Sequence, residues 1–274
     1  MRASMESHWA IRLDPAFAEL REDRLFELYH ENSKLFPELA RDMAAEFSAS
    51  PAELHLVSRA FKQYRNAPRV GLPPPARSRN ALSRALRERR SARELTSPLA
   101  LGDLATLLVE SFEPTAIVQN EEFGVDQPLR PWPSAGGLYP LDVYVIAANV
   151  DGLEPGLYHH NVLTSELERL AARPPQEILL DGFFYQDFIA SSAAVLLLTA
   201  VFDRTVAKYG ERGYRLVLLD AGHAAQNVLL DAERLGLPAV AVGGFCDDAL
   251  AADLGLDSLD EAVVHTVVLG GGDA

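Results

Sequence analysis

The longest apolar stretch of the chain, residues 193–202 (AAVLLLTAVF), sets the first limit on its fold. It has about half of the roughly 20 residues a membrane-crossing helix needs, and its β-branched members suit a strand buried in a core. Strands are predicted over 142–148, 156–160, 193–201, 239–242 and 262–269. Between the third and fourth, a single long helix is predicted over 212–235, apolar at Leu216, Leu219, Ala224, Val228 and Leu235. Its small residues, Ala221-Gly222 and Ala224-Ala225, let another backbone come close, either a second subunit or the chain's own sheet. A helix over 80–90, a turn (SARELTSP) and a helix starting near Leu101-Gly102-Asp103 come before these strands. Strand and helix thus alternate through this part of the chain.

Residues 1–66 read as a helical extension. Asp14-Pro15 is an N-cap followed by Pro at N1, and Ser50-Pro51-Ala52-Glu53 is a capping box leading into Leu54, Val57 and Phe61. Residues 67–79 contain Pro73-Pro74-Pro75, which enforces an extended, internally unbonded segment, so they are expected to be a linker to a domain over 80–274. With 274 residues, 48% of them hydrophobic, the chain has material for one sizeable core plus an appendage.

Charge excludes some partners. The 25 Lys and Arg against 39 Asp and Glu leave a net −14, with no basic cluster among aromatics, so nucleic acid and anionic membrane are not expected to bind. The lone Cys246 excludes an internal disulfide, and the opening MRASMESHWAIRLD has no apolar stretch to act as an export signal. A cytoplasmic setting is expected. The chain contains no GxSxG, P-loop, HExxH or post-strand GxGxxG motif, and its seven histidines lack metal-ligand spacing, so no metal is expected.

Four segments remain. Arg89-Arg90-Ser91-Ala92-Arg93 offers three guanidiniums and a hydroxyl, suited to a phosphate monoester or to a solvated helix end. Pro133-Ser134-Ala135-Gly136-Gly137-Leu138-Tyr139-Pro140 is a tight turn whose glycines would let backbone amides approach a flat ligand. Lys208-Tyr209-Gly210-Glu211-Arg212-Gly213-Tyr214 reads as an exposed loop opening the long helix, or as a proton-transfer pair, because a nearby ammonium favours a phenolate. The strand 239–242 runs into Gly243-Gly244-Phe245, where bare amides could face a ligand.

Together with YHENSKL (29–35), GLYHHN (156–161) and AGHAAQN (221–227), these segments resemble, in order, the nitroreductase-like flavoprotein superfamily, and within it the SagB-type thiazole- and oxazole-forming peptide dehydrogenases. The resemblance covers residues 80–269 and implies an α+β nitroreductase-like flavin fold, an intertwined homodimer with FMN at the subunit interface. It assigns Arg89, Arg90, Ser91 and Arg93 to the phosphate and ribityl chain. Pro133, Ser134, Ala135 and Gly136 fall to the isoalloxazine ring, and Gly243 and Gly244 to the strand end near its N5. Lys208 and Tyr209 are assigned to catalysis. The basic residue that family members often carry after the last strand is missing from Gly270-Gly271-Gly272-Asp273-Ala274, so phosphate binding would rest on the arginines. Cys246 is expected to be a small buried packing residue.

The implied reaction is oxidation of a thiazoline or oxazoline on a peptide or carrier-bound precursor, with O2 as final acceptor. Tyr209 is the first candidate for the base, assisted or replaced by Lys208. A cyclodehydratase or a peptide-synthetase module would be the partner. Two alternatives stay open: an NAD(P)H-dependent nitro- or quinone reductase, and a flavin-free scaffold subunit.

Overall fold

A computed structural model describes residues 24–46, 50, 62–75, 80–120, 124–184 and 186–272. The expected helix starts at Asp14 and Ser50 lead into residues outside these. Residues 62–75 are exposed and in no helix or strand.

The core is a six-stranded sheet of β4 (Leu141–Ala147), β6 (Gly156–Asn161), β7 (Glu166–Leu170), β8 (Ala194–Val201), β9 (Ala239–Val242) and β10 (Glu261–Leu269). Their spatial order is β7-β6-β4-β8-β10-β9, and neighbours are antiparallel throughout. The apolar run thus becomes β8, at the centre. Leu196, Leu198 and Ala200 point into one apolar layer, Val195 and Leu197 into the other, so every position from Ala194 to Ala200 is buried. Period-2 alternation with apolar residues at both phases requires cover on both faces.

Helices supply that cover. On one face lie α4 (Leu101–Phe112) and α8 (Arg212–Leu235), contributing Leu104, Leu107, Phe112, Val217, Ala224 and Val228. On the other lie α5 (Pro175–Gly182) and α9 (Asp247–Leu254), contributing Ile178, Leu179 and Leu250. The long helix keeps its predicted bounds and stops at Gly236, whose φ of 73° forms the left-handed C-cap. Of its small residues, Ala221, Ala224 and Ala225 pack into the chain's own core, whereas Gly222 is exposed. Two-residue strands β1 (Leu99–Ala100) and β5 (Val150–Asp151) pair in parallel, and β2 (Ala116–Asn120) and β3 (Val125–Leu129) form a separate antiparallel pair. Helix α3 (Ala81–Glu88), capped by Asn80, packs on α8.

The described part of the N-terminal extension consists of α1 (Leu25–Ser33) and α2 (Pro37–Glu46). Helix α1 is docked on the body: Phe26 completes a triangle of rings with Phe202 and Tyr214, at 5.7 and 5.6 Å between centroids, stacked on Tyr214 and tilted to Phe202. The Phe26 amide donates to Glu211, Arg24 pairs with Asp203 at 2.6 Å, and the Leu35 amide donates to Asp247. After β10 the chain runs between residues 95–98 and 236–238, with the Gly270 amide on Pro238 O and the Gly271 amide on Ser97 O. A Cβ on Gly270 would stand 2.7 Å from Leu95 Cα, and one on Gly271 would overlap the Pro98 carbonyl. Among the described residues no helix is long and apolar enough to cross a membrane.

Candidate active site

Helix α7 (Asp203–Tyr209) follows directly on β8 and carries Lys208 and Tyr209 in its last turn, a position read from the sequence as loop. Gly210, with φ 54°, breaks the helix before α8 begins. An Arg204–Asp142 ion pair at 2.8 Å ties α7 to the start of β4. Nearby, Thr199 donates to Glu261 at 2.6 Å, and burial pushes the carboxyl of Glu261 and the phenol of Tyr144 upward in pKa. The turn carrying Ser134, Ala135 and Gly136 leads into that same strand. It is a 3-10 turn over Ala135–Gly137 in which Gly136 and Gly137 have φ of 63° and 64°, and Tyr139 follows at 44°. Such backbone is cheap only for glycine.

This turn meets the Lys-Tyr pair. A Cβ added to Gly136 would lie 2.8 Å from Tyr209 Oη and 3.6 Å from Lys208 Nζ. The segment expected along the flavin ring and the expected catalytic pair are therefore side by side in one chain. Sequence reasoning missed two residues that hold the turn. Gln127 of β3 donates to the carbonyls of Gly136, at 3.1 Å, and Gly137. Asp220, only 3% exposed on α8, brings its carboxylate within reach of the Ser134 hydroxyl, the Trp132 indole and the Ala135 amide. Burial raises the Asp220 pKa, and these partners act in the opposite direction.

Arg89–Arg93 lie elsewhere. Arg89 caps α3 through its amide on Ala85 O, and the Ala92 amide donates to Ala239 O at the start of β9. Arg90, Ser91 and Arg93 are exposed, and Arg93 sits 6.0 Å from the Phe188 ring centre. Strand register fixes the relation between the two groups. Leu141, Ala200 and Glu261 mark one end of the sheet, beside Gly136 and Tyr209; Ala194, Leu269 and Ala239 mark the other, beside Ala92. The eight residues of β8 separate them by about 23 Å. Gly243 and Gly244 continue from β9 back toward the first end, and an added Cβ on either would meet nothing within 4 Å. Pro133 is exposed, before the turn. Cys246 is buried beside the Gly182 carbonyl, and desolvation raises its thiol pKa.

The residues suit FMN chemically. Guanidiniums and a hydroxyl match a phosphate monoester, and bare backbone beside Gly243 and Gly244 leaves room for a flat ring. Among the described residues, no group of three or more His, Cys, Asp or Glu side chains could hold a metal.

Residues 86–271 match the Nitroreductase family, and the chain belongs to that family. Its relatives make the placement more particular. MJ1384, a nitroreductase-like protein of Methanocaldococcus jannaschii, is 37% identical over 170 residues, 62% of this chain and 81% of that one. The microcin B17-processing protein McbC of Escherichia coli is 31% identical over 47% of this chain, and the trifolitoxin-processing protein TfxB of Rhizobium leguminosarum bv. trifolii 28% over 50%. The aligned stretches span 49% of McbC and 38% of TfxB. In fold, the chain matches a chain of the E. coli microcin synthetase McbBCD complex with truncated pro-MccB17 bound, with a TM-score of 0.69 over 95% of both chains at 21% identity. These relatives agree with the SagB-type subgroup expected from the motifs.

Proposed function

We propose that this protein is an FMN-dependent oxidase or dehydrogenase that converts thiazoline or oxazoline rings to thiazoles or oxazoles on a peptide or carrier-bound precursor. O2 is the final electron acceptor. An oxidoreductase role follows from the family, and relatives named for processing microcin B17 and trifolitoxin support a peptide substrate. The observation that carries the reading is the contact of Gly136 with Tyr209 Oη and Lys208 Nζ. A proton must leave the ring Cα, and this pair is the base next to the turn on which the ring of the cofactor would lie. Tyr209 is the first candidate to take the proton, assisted or replaced by Lys208.

FMN, when bound, supplies the hydride acceptor that no side chain can be. Arg89, Arg90, Ser91 and Arg93 would hold its phosphate and ribityl chain, and Pro133, Ser134, Ala135, Gly136, Gly243 and Gly244 its ring. The strand-length gap between the arginines and the Gly136–Tyr209 contact supports a homodimer, in which each site takes its arginines from one copy and its Lys-Tyr pair from the other. A cyclodehydratase or peptide-synthetase partner would deliver the azoline.

The test is absorbance of the purified protein, with FMN bands expected at about 375 and about 450 nm, then mass spectrometry of an azoline peptide incubated with it in air. Loss of two hydrogens per ring is expected. A colourless protein that FMN does not reconstitute overturns the reading. The similarity to MJ1384 favours a second one, an NAD(P)H-dependent nitro- or quinone reductase. Rapid bleaching of the flavin by NADH, with no change in the azoline peptide, would establish that instead.

A further inference from the structure

Asp220 is the ninth residue of α8, on the face that buries Val217, Ala221 and Ala224. A carboxylate in such surroundings is costly unless it is bonded. The Asp220 carboxylate is within reach of the Ser134 hydroxyl, the Trp132 indole and the Ala135 amide, while its Oδ2 is buried without a hydrogen-bond partner. Ser134 Oγ in turn accepts the Tyr139 amide at 2.9 Å, which leaves the hydroxyl proton for Asp220. The turn is therefore closed by the Tyr139 N–H bond to Ser134, whose hydroxyl faces Asp220. Within this closed turn Gly136, Gly137 and Tyr139 have positive φ, which is strained only at Tyr139.

Tyr209 touches the same turn from the other side, at Gly136. Tyr209 and Asp220 belong to one stiff unit, because α7 joins α8 through Gly210 and Glu211, and the Gly213 amide bonds back to Gly210 O at 2.8 Å. The turn is thus clamped at two points of a single helical elbow, which leaves little slack between Gly136 and Tyr209 Oη.

We propose that Asp220 is a positioning residue for the Lys208–Tyr209 pair: through Ser134 and Ala135 it fixes the turn against which Tyr209 Oη is registered. The inference rests on the reading that this pair moves the proton, and its test separates the two.

Asp220→Asn, in the full-length protein, keeps the size of the side chain and weakens its hold on the donors that face it. Amide hydrogen exchange over residues 135–139 should quicken by about 10-fold or more, with β4 and α8 unchanged. With FMN content unchanged, kcat on an azoline peptide should fall by about 10-fold or more while KM stays within about twofold. In a Tyr209→Phe background the same substitution should cost nothing further, because it acts through that phenol. Unchanged exchange at 135–139 overturns the proposal whatever the substrate is. Additive losses in the double variant overturn the link to Tyr209. A wild-type protein inactive on azolines refutes the proposed function alone, and the exchange comparison then decides whether Asp220 holds the turn. If Asp220→Asn does not fold, Ser134→Ala removes the hydroxyl that faces Asp220 and is read by the same exchange measurement.

Discussion

At one end of the sheet the 134–139 turn is gripped from three sides, by Asp220, Gln127 and Tyr209; at the other end Arg90, Ser91 and Arg93 lie on the surface with their backbone tied down at Ala92. The difference fits the two proposed tasks. A proton acceptor works only if it is placed before the substrate arrives, so a turn held from several sides suits it even though Gly136 and Lys208 are themselves exposed. A group that holds a phosphate works through charge and direction, and long flexible side chains on a fixed backbone serve well. The first region should therefore respond to sub-ångström changes, and the second to the removal of charge.

The largest expected effect is at the rigid end. Tyr209→Phe should keep FMN and lower azoline turnover by about 10²–10⁴-fold, measured at saturating substrate; an apoprotein would instead mark Tyr209 as a support of the cofactor site. Gly136→Ala comes next. Its new methyl would stand 2.8 Å from Tyr209 Oη on a backbone of positive φ, and turnover should fall by about 10²-fold with FMN still bound. If Gly136→Ala instead bound FMN more weakly and kept the rate of the FMN-loaded enzyme, the turn would serve the cofactor and not the Lys-Tyr pair.

At the exposed end, Arg90→Ala should weaken FMN binding by about 10-fold or more, with added salt mimicking part of the loss, and leave kcat of the loaded enzyme unchanged; fluorescence titration of the apoprotein checks this. The smallest effect concerns α1, which packs on the elbow. Burial holds His30 below its ordinary pKa of 6.5, with Lys34 adding to the shift and Glu31 and Asp248 opposing it. The unfolded chain takes up this proton first, so the stability that neutral His30 provides is present above pH 6.5 and is lost as the pH falls through the folded value. In His30→Gln, denaturation between neutral and mildly acidic pH should show a shallower loss, by at most about 1.4 kcal/mol per pH unit.

Much of the scaffold was legible in the chain. The strand 239–242 and the helix 212–235 fall where periodicity puts them, and 142–148 differs from β4 by one residue at each end. These segments carry either a strong period or a buried apolar run, and both survive tertiary packing. β7 was not legible: ELERL is an edge strand with its polar residues outward, and it is defined by pairing with β6 rather than by its composition. Helix α7 was hidden for a similar reason, since DRTVAKY has no stripe of its own and is held by the Arg204–Asp142 bridge. Of the candidate residues, Gly136, Lys208 and Tyr209 come together as their motifs suggest. Asp220 had a signal that was passed over, a carboxylate in phase with Val217, Ala221 and Ala224 on the apolar stripe of a helix. Gln127 had none, because nothing local distinguishes a glutamine in a hairpin that happens to reach two carbonyls.

The crossing at Gly270 and Gly271 couples that surface segment to the interior. The stretch that carries Ser91 and Arg93 is sewn to the start of β9 at Ala92 and to the end of β10 at Ser97, where only bare backbone fits beneath Leu95 and Pro98. It has no hinge of its own. Any anion these arginines grip is therefore held from backbone anchored to the outer seam of the sheet, so that fraying of that seam would carry the arginines away with it.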